Sequence, residues 1–497
     1  MNKQIQKLGA GLLACYLALF VMVNYIQVIR ADELNDDRRN SLAVQRNFDR
    51  PRGQILSADG VVLAESIPAA AGSGFQFQRQ YPTGDLFAHT VGFLNFDFGD
   101  DGVEREYSDQ LTGQDPDISL RSFSDLFVER DRTGDVALTI RQDVQQVARQ
   151  QLGEQRGSVV AIDPRDGSIL AFWSFPSYDP NPLASLDRAT SEAARAALEP
   201  DSRTSPLIPA MYRRSFFPGS TFKVVTASIG VDRGVVTPEQ PVYPVSTEFD
   251  IDFTADELSN FGDPPSACGG ALFEIVRASC NTAFAAMGVE TIGEEGMVEG
   301  AQNLGFNERP PLDLPAPAAS TFPTNFPDDQ GNGPLARASI GQGDVSATPL
   351  QMALVAAGVA NGGVIMTPHV LDQITDETGE VVREFDPEPW HQAISPGAAA
   401  IMREAMLGVV RPGGTGTRAQ IAGCEVGGKT GTAQLGTDPP SSHAWFIAFA
   451  GCGGQPPSVA VAVIVEAQPG ISEVTGGRVA APIAQAVMQA VLTAQGG

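Results

Sequence analysis

The sequence predicts an α+β protein. A mainly antiparallel sheet is assembled from both ends of a large domain, with helical sequence inserted between, a small pedestal domain before it and one transmembrane helix at the start. Three observations carry this. Strand-like apolar runs cluster near residues 157–176 and again at 425–467, helical and loop sequence fills the interval, and residues 8–29 contain no charge. Strand groups at both ends with helices between share a core most simply as one sheet flanked by helices.

The elements follow in chain order. The run LGAGLLACYLALFVMVNYIQVI, from Leu8 to Ile29, is long enough to cross a bilayer as a helix. Lys3 and Lys7 precede it and Asp32, Glu33, Asp36 and Asp37 follow, so the positive-inside rule leaves the N-terminus in the cytoplasm and the rest outside. A cleaved signal peptide is the rival, but the run exceeds a usual h-region and no small-x-small site follows it. Leu12-Leu13-Ala14-Cys15 looks like a lipidation box, yet apolar sequence continues well past Cys15. The domains predicted are the anchor, 1–30, the pedestal, 31–150, and a second domain, 151–497.

In the pedestal, Gln54-Ile55-Leu56, the turn Ser57-Ala58-Asp59-Gly60 and Val61-Val62-Leu63 read as a hairpin. Thr139 and Gln142 form a capping box for a helix whose apolar face is Val144, Val147, Ala148 and Leu152. The second domain opens with a hairpin, GSVVAIDPRDGSILAFWSFP, turning at Pro164 to Gly167. The Pro-rich stretch 309–334 is aperiodic and reads as a loop near the site. A helix follows with Thr348 as N-cap, Pro349 at its first position and Gly362-Gly363 past its end. Strands at 425–434, 443–450 and 458–467 and a final alanine-rich helix close the domain.

Composition removes several function classes. With 33 basic and 59 acidic residues the net charge is −26, a field that repels phosphate and argues against nucleic acid as a partner. Beyond Cys15 there are four cysteines, an even number that permits disulfides outside the cell. The pairings favoured are Cys424 with Cys452, which flank a hairpin, and Cys268 with Cys280; buried free thiols are the alternative. No cysteine spacing fits a zinc site, and His89, His369, His391 and His443 lie far apart, so no metal is expected.

Lysine usage points to the chemistry. Only four of the basic residues are Lys, and after Lys3 and Lys7 the rest of the chain keeps Lys223 and Lys429 alone. A guanidinium stays charged at any accessible pH, whereas an ammonium can be neutralised by desolvation and act as a base. In Pro218-Gly219-Ser220-Thr221-Phe222-Lys223 the Pro-Gly turn precedes a helix, and a spacing of three sets Ser220 and Lys223 on one face. A hydroxyl is a weak nucleophile until a base takes its proton, and an uncharged lysine is such a base. Alone, S-x-x-K is a weak pattern. Lys429 lies in Gly427-Gly428-Lys429-Thr430-Gly431-Thr432, a strand whose glycines admit another backbone, so an extended peptide could pair with it. Lys429, Thr430 and Thr432 together read as a carboxylate receptor. Ser279-Cys280-Asn281 precedes the helical run TAFAAMG, where Ser279 is either functional or an N-cap.

In this order, the S-x-x-K, S-x-N and K-T-G motifs at Ser220, Ser279 and Lys429 resemble the signature of the penicillin-binding protein and serine β-lactamase superfamily. The resemblance covers nearly the whole ectodomain. Arg50-Pro51-Arg52-Gly53-Gln54-Ile55, Phe175-Pro176-Ser177-Tyr178-Asp179-Pro180 and Gly341-Gln342-Gly343 with Thr348-Pro349 make it most similar to class B penicillin-binding proteins, the monofunctional D,D-transpeptidases. The compact pedestal, and the end of the chain just past the last helix, look most like the penicillin-binding protein A group of actinobacteria.

That resemblance implies the superfamily's transpeptidase fold and an acyl-enzyme on Ser220, with Lys223 accepting its proton. It implies an oxyanion hole from the amides of Ser220 and Thr432, and a proton relay through Ser279 and Lys429. Asn281 would hold the substrate amide, and Lys429, Thr430 and Thr432 the terminal carboxylate, with Gly431 a further substrate-binding position. Implied partners are peptidoglycan stem peptides ending D-Ala-D-Ala, β-lactam antibiotics and a membrane-embedded glycan polymerase of the RodA/FtsW kind; no cofactor is implied. A β-lactamase or D,D-carboxypeptidase shares the motifs, though a β-lactamase has little use for an anchor and pedestal. A bifunctional glycan polymerase would need a larger N-terminal domain, and a penicillin sensor would need more cytoplasmic sequence than residues 1–7 provide. A non-catalytic scaffold would have no need of intact motifs.

Overall fold

The computed structural model describes residues 2–30, 48–119, 132–253, 257–262, 264–437, 441–467 and 474–496. Helix α1 (Asn2–Ile29) contains one span, Lys3–Ile26, long and apolar enough to cross a membrane, and its side chains there are exposed. The acidic residues Asp32, Glu33, Asp36 and Asp37, expected to flank it, lie outside the described residues.

The pedestal contributes β1 (Ile55–Leu56), β2 (Val62–Pro68), β3 (Phe77–Gln80) and β4 (Gly134–Leu138). Helix α2 (Gln142–Leu152) leads to β5 (Gly157–Ile162) and β6 (Ile169–Phe175). Helices α3 (Lys223–Asp232), α4 (Leu272–Ala278), α5 (Asn281–Ala286) and α6 (Pro349–Ala360) occupy the middle. After them come β7 (Leu371–Asp376), β8 (Val381–Glu384), α7 (Pro396–Val410), β9 (Cys424–Gln434), β10 (Ser442–Cys452), β11 (Val459–Val465) and α8 (Gly476–Gly496).

The five-stranded sheet of the second domain has the order β9-β10-β11-β5-β6, antiparallel throughout, so the two ends of the domain meet at β11 and β5. Every residue of β11, VAVAVIV, is buried, as expected of a central strand covered by helices on both faces. Helix α6 packs on β11, β5 and β10, and α8 on β10 and β11. The sequence signals for α6 hold: the Thr348 side chain accepts from the Gln351 N–H, and Pro349 sits in the first turn. Cys424 and Cys452 face each other at one end of the β9–β10 ladder and are bonded, as are Cys268 and Cys280.

The edge strand β6 is closed by α2. Buried Gln145 donates to the Phe172 carbonyl at 3.0 Å and accepts from the Phe172 N–H at 2.8 Å, so one amide satisfies backbone groups that an edge strand leaves open. This helix therefore packs with the second domain, although the boundary drawn from sequence at 150 assigns it to the pedestal. Its cap differs from the sequence expectation too. The Thr139 hydroxyl donates to the Ile169 carbonyl at 2.7 Å, and the Gln142 N–H is taken by Asp59 Oδ1 at 2.8 Å. The cap comes from the β1–β2 turn, a residue distant in sequence.

The second sheet, β8-β7-β4-β1-β2-β3, joins pedestal strands to β7 and β8 from the other domain, with β1 and β4 parallel. Beneath it Glu104 is buried between two buried arginines, 2.5 Å from Arg79 Nε and 3.1 Å from Arg52 Nε. Burial alone would raise this carboxyl, but Arg79 and then Arg52 hold it below the ordinary range. Removing one partner of such a group strands the others in low dielectric. Glu104→Ala is expected to lower unfolding stability by about 3–5 kcal/mol, read as a fall in the chemical denaturation midpoint. A loss below about 1 kcal/mol, the worth of an exposed pair, would show that the triad is solvated.

The stretch 309–334 has no helix or strand until the short 3-10 turn Asp328–Gln330 and a helix starting at Gly333. Two of its residues make separate attachments. Asp313 accepts from Tyr107 of the pedestal at 2.7 Å and from the Val370 and Leu371 N–H groups at the start of β7. Phe322 stacks on Phe222, behind the turn that carries Ser220, with ring centroids 5.5 Å apart.

Candidate active site

Pro218 and Gly219 bring the chain against β9. Gly219 has φ +52°, and a Cβ there would lie 2.9 Å from the Thr432 carbonyl oxygen. Its N–H donates to the Gly341 carbonyl at 2.9 Å, while Trp445 on β10 donates to the Phe217 carbonyl at 3.0 Å. On the facing strand, a Cβ on Gly431 would lie 2.9 Å from Thr221 Cγ2 and 3.1 Å from the Pro218 carbonyl oxygen. Glycine at 219 and 431 thus lets the two segments touch, which sets Ser220 beside Thr432.

Ser220 sits in a 3-10 turn, Gly219–Phe222, that runs into α3 at Lys223. In this helix type residues i and i+3 eclipse, so the two side chains still share a face. Ser220 is half-buried and lines a cleft of about 770 Å³. Among the described residues its hydroxyl has no hydrogen-bond partner. Lys223 is fully buried, and its amine donates to the Ser279 carbonyl at 2.7 Å, to Ser279 Oγ at 3.3 Å and to Asn281 Oδ1 at 2.5 Å.

Ser279 and Asn281 come from the junction of α4 and α5. Ser279 ends α4 in the left-handed conformation, φ 59° and ψ 44°, and Cys280 is the N-cap of α5. The N-cap alternative for Ser279 therefore fails. Its hydroxyl instead accepts from Lys429 at 2.7 Å and lies between the two lysines. Both ends of the Asn281 amide are engaged, Oδ1 by Lys223 and Nδ2 by the Ser259 carbonyl at 2.8 Å, so here it positions the lysine.

Strand alternation separates Lys429 from its neighbours. Thr430, Thr432 and Gln434 line the cleft, whereas Lys429 leaves the opposite face, is fully buried and also donates to the Thr430 carbonyl at 3.1 Å. Lys429 thus bonds Ser279 from one face of the strand, while the threonine hydroxyls open on the cleft from the other. Burial pushes the Lys429 ammonium down to about 7. Burial, and then the neighbouring Lys429 charge, hold Lys223 well below the ordinary lysine range. Two like charges sharing one hydroxyl both lean towards the neutral amine.

Residues not singled out from sequence also line the cleft: Asn260, Thr415, Thr417, Arg418 and Arg478. Asn260 is buried, and its side-chain Oδ1 accepts from the Thr282 N–H at 3.1 Å, bracing the start of α5. These residues lie on turns and on one helix start, where no periodicity or spacing marks them. No group of His, Cys, Asp and Glu able to hold a metal occurs among the described residues.

Comparison with known proteins accords with this geometry. Residues 157–489 match the family described as penicillin binding protein transpeptidase domain, and residues 52–136 match the penicillin binding protein A dimerisation domain. The chain is 36% identical to the peptidoglycan D,D-transpeptidase PbpA of Mycolicibacterium smegmatis and 35% identical to that of Mycobacterium tuberculosis, covering 99% of each chain in both cases. The ceftriaxone acyl-enzyme complex of penicillin-binding protein A from M. tuberculosis superposes with a TM-score of 0.79 at 34% identity, over 90% of this chain and 100% of that one. The chain belongs to the penicillin-binding protein transpeptidase family.

Proposed function

We propose that this protein is a serine D,D-transpeptidase that cross-links peptidoglycan stem peptides ending in D-Ala-D-Ala and is acylated by β-lactams. The observation that carries this is one hydroxyl, Ser279 Oγ, held between two buried lysines, of which Lys223 follows Ser220 by one helical turn; among the described residues the Ser220 hydroxyl has no hydrogen-bond partner. Ser220 attacks the penultimate D-Ala carbonyl while Lys223 takes its proton. The amides of Ser220 and Thr432 hold the oxyanion, a role supported by the contact between Gly219 and Thr432. Ser279, bonded to Lys429, passes a proton to the departing D-Ala amine. An amine from a second stem then attacks the acyl-enzyme and closes the cross-link. β9 is an edge of its sheet, so an extended peptide can add to it, with its carboxylate at the Thr430 and Thr432 hydroxyls. Asn281 orients Lys223; holding a substrate amide would require it to release one of its present bonds.

The exposed apolar side chains of α1 support a single-pass anchor, and Lys3 and Lys7 ahead of its apolar run support a catalytic domain outside the cytoplasm. A glycan polymerase of the RodA/FtsW kind is the expected neighbour in the membrane. The deciding experiment is product analysis with a D-Ala-D-Ala stem mimic, with and without an added amine. Transfer to the amine is expected to dominate. Dominant hydrolysis would make the protein a D,D-carboxypeptidase, and rapid hydrolysis of a penicillin adduct a β-lactamase.

A further inference from the structure

Helix α5, with Asn281 as its first residue, begins without a cap of its own. Cys280 holds the N-cap position, but its sulfur is bonded to Cys268 and its side chain takes no backbone N–H. The orphan N–H of Thr282 is taken instead by Asn260 Oδ1 at 3.1 Å, from a segment distant in sequence. From its other end the same amide donates to the Ser246 carbonyl at 2.8 Å and to Thr282 Oγ1 at 3.3 Å. The Asn260 N–H donates to the Thr247 carbonyl at 3.1 Å. Asn260 is 4% exposed, so these bonds lie in low dielectric, where leaving one unmade is costly.

Asn260 directly follows the strand Glu257–Ser259, which pairs antiparallel with Glu248–Asp250. Clasping Asn260 to α5 brings the Ser259 carbonyl against Asn281, whose Nδ2 donates to it at 2.8 Å. A carbonyl oxygen can only accept, so this contact decides which end of the Asn281 amide faces Lys223. That end is Oδ1, 2.5 Å from the amine. A neutral amine has two N–H groups and one lone pair. The two shortest bonds of Lys223, to Asn281 Oδ1 and to the Ser279 carbonyl at 2.7 Å, engage both N–H groups and leave the lone pair for a hydroxyl. A reversed Asn281 amide would aim an N–H at that lone pair and compete with Ser220 for it.

We infer that Asn260 is a positioning residue for acylation: it clasps the start of α5 so that the Ser259 carbonyl fixes the orientation of the Asn281 amide, and through Asn281 it keeps the Lys223 lone pair free for the Ser220 hydroxyl. The inference rests on the acyl-enzyme reading above. Asn260 acts only through its neighbours, since both ends of its amide are engaged. A helix cap with no further role would act alike whether or not residue 281 carries an amide, and this separates the two roles.

The test is a double-mutant cycle on the full-length protein in detergent, with a fluorescent penicillin followed long enough that slow variants remain measurable. Its readouts are the rate constant of the acylation step and the dissociation constant of the complex that precedes it. Asn260→Ala is expected to slow the acylation step about tenfold or more while the dissociation constant moves by less than about twofold. In an Asn281→Ala background the same substitution is expected to change the rate by less than about twofold, because the amide through which it acts is gone. Equal slowing in both backgrounds is the signature of a merely structural role and overturns the inference. So does an unchanged rate in Asn260→Ala, or a loss carried by the dissociation constant alone. If Asn260→Ala does not fold, Asn260→Ser, whose hydroxyl can still take the Thr282 N–H, carries the same comparison. If the wild-type protein is not acylated at all, the acyl-enzyme reading itself falls, and the inference with it.

Discussion

Replacing Ser220 by Ala is expected to abolish covalent labelling of the full-length protein by fluorescent penicillin, with loss of the penicillin adduct in the intact mass. The remaining groups cannot substitute for it. Ser279 Oγ is already held by two lysines, and Thr430 Oγ1 is paired with Thr415. Ser220 is the cleft hydroxyl that sits beside a base and has no hydrogen-bond partner among the described residues. The loss should exceed about 10³-fold, as removal of a nucleophile does where nucleophile and base act as one unit. Stability should move by no more than about 0.5 kcal/mol, since the substitution breaks no hydrogen bond and fills no new space. Labelling that survives unchanged in the variant would remove Ser220 from the mechanism.

Much of this arrangement was legible in the sequence because its signals are local. The strands β10 and β11 are largely apolar runs between Gly and Pro turns, β9 is marked by its Gly-Gly-Lys-Thr-Gly-Thr run, and α6 announces itself through Thr348 and Pro349. The scarcity of lysine marked Lys223 and Lys429, and the structure sets both against Ser279. What escaped depends on contacts between residues far apart in the chain. The cap of α2 comes from Asp59 on another turn, and β7 and β8 complete a sheet begun by pedestal strands. Local propensity cannot show either pairing. The direction in which Lys429 points was derivable from strand alternation with Thr430 and Thr432, once the threonines were assigned to the cleft. The left-handed turn at Ser279 was not, since a Ser before a helix ordinarily reads as its cap. The arginines of the cleft wall had no signal of any kind, as neither belongs to a spaced motif.

Exchanging each buried lysine for arginine is expected to give unequal results, because the two amines are asked to hold different charges. Lys223 must be neutral to take the Ser220 proton, and a guanidinium cannot be. Lys223→Arg should therefore lower the acylation rate about 10²–10⁴-fold, the usual worth of a general base. Lys429 must be protonated to keep a charged donor on Ser279, and arginine meets that need, although its larger head group would slow acylation to some extent. The pH profile separates the roles. In the wild-type protein the rate should rise with pH as Lys223 loses its proton, an acid limb placed far below the ordinary lysine range by burial and by Lys429. It should fall again above about 7, where burial makes Lys429 neutral. In Lys429→Arg the alkaline limb should move to much higher pH while the acid limb remains. Full acylation by Lys223→Arg would end its assignment as proton acceptor, and an alkaline limb unmoved in Lys429→Arg would show that another group titrates there.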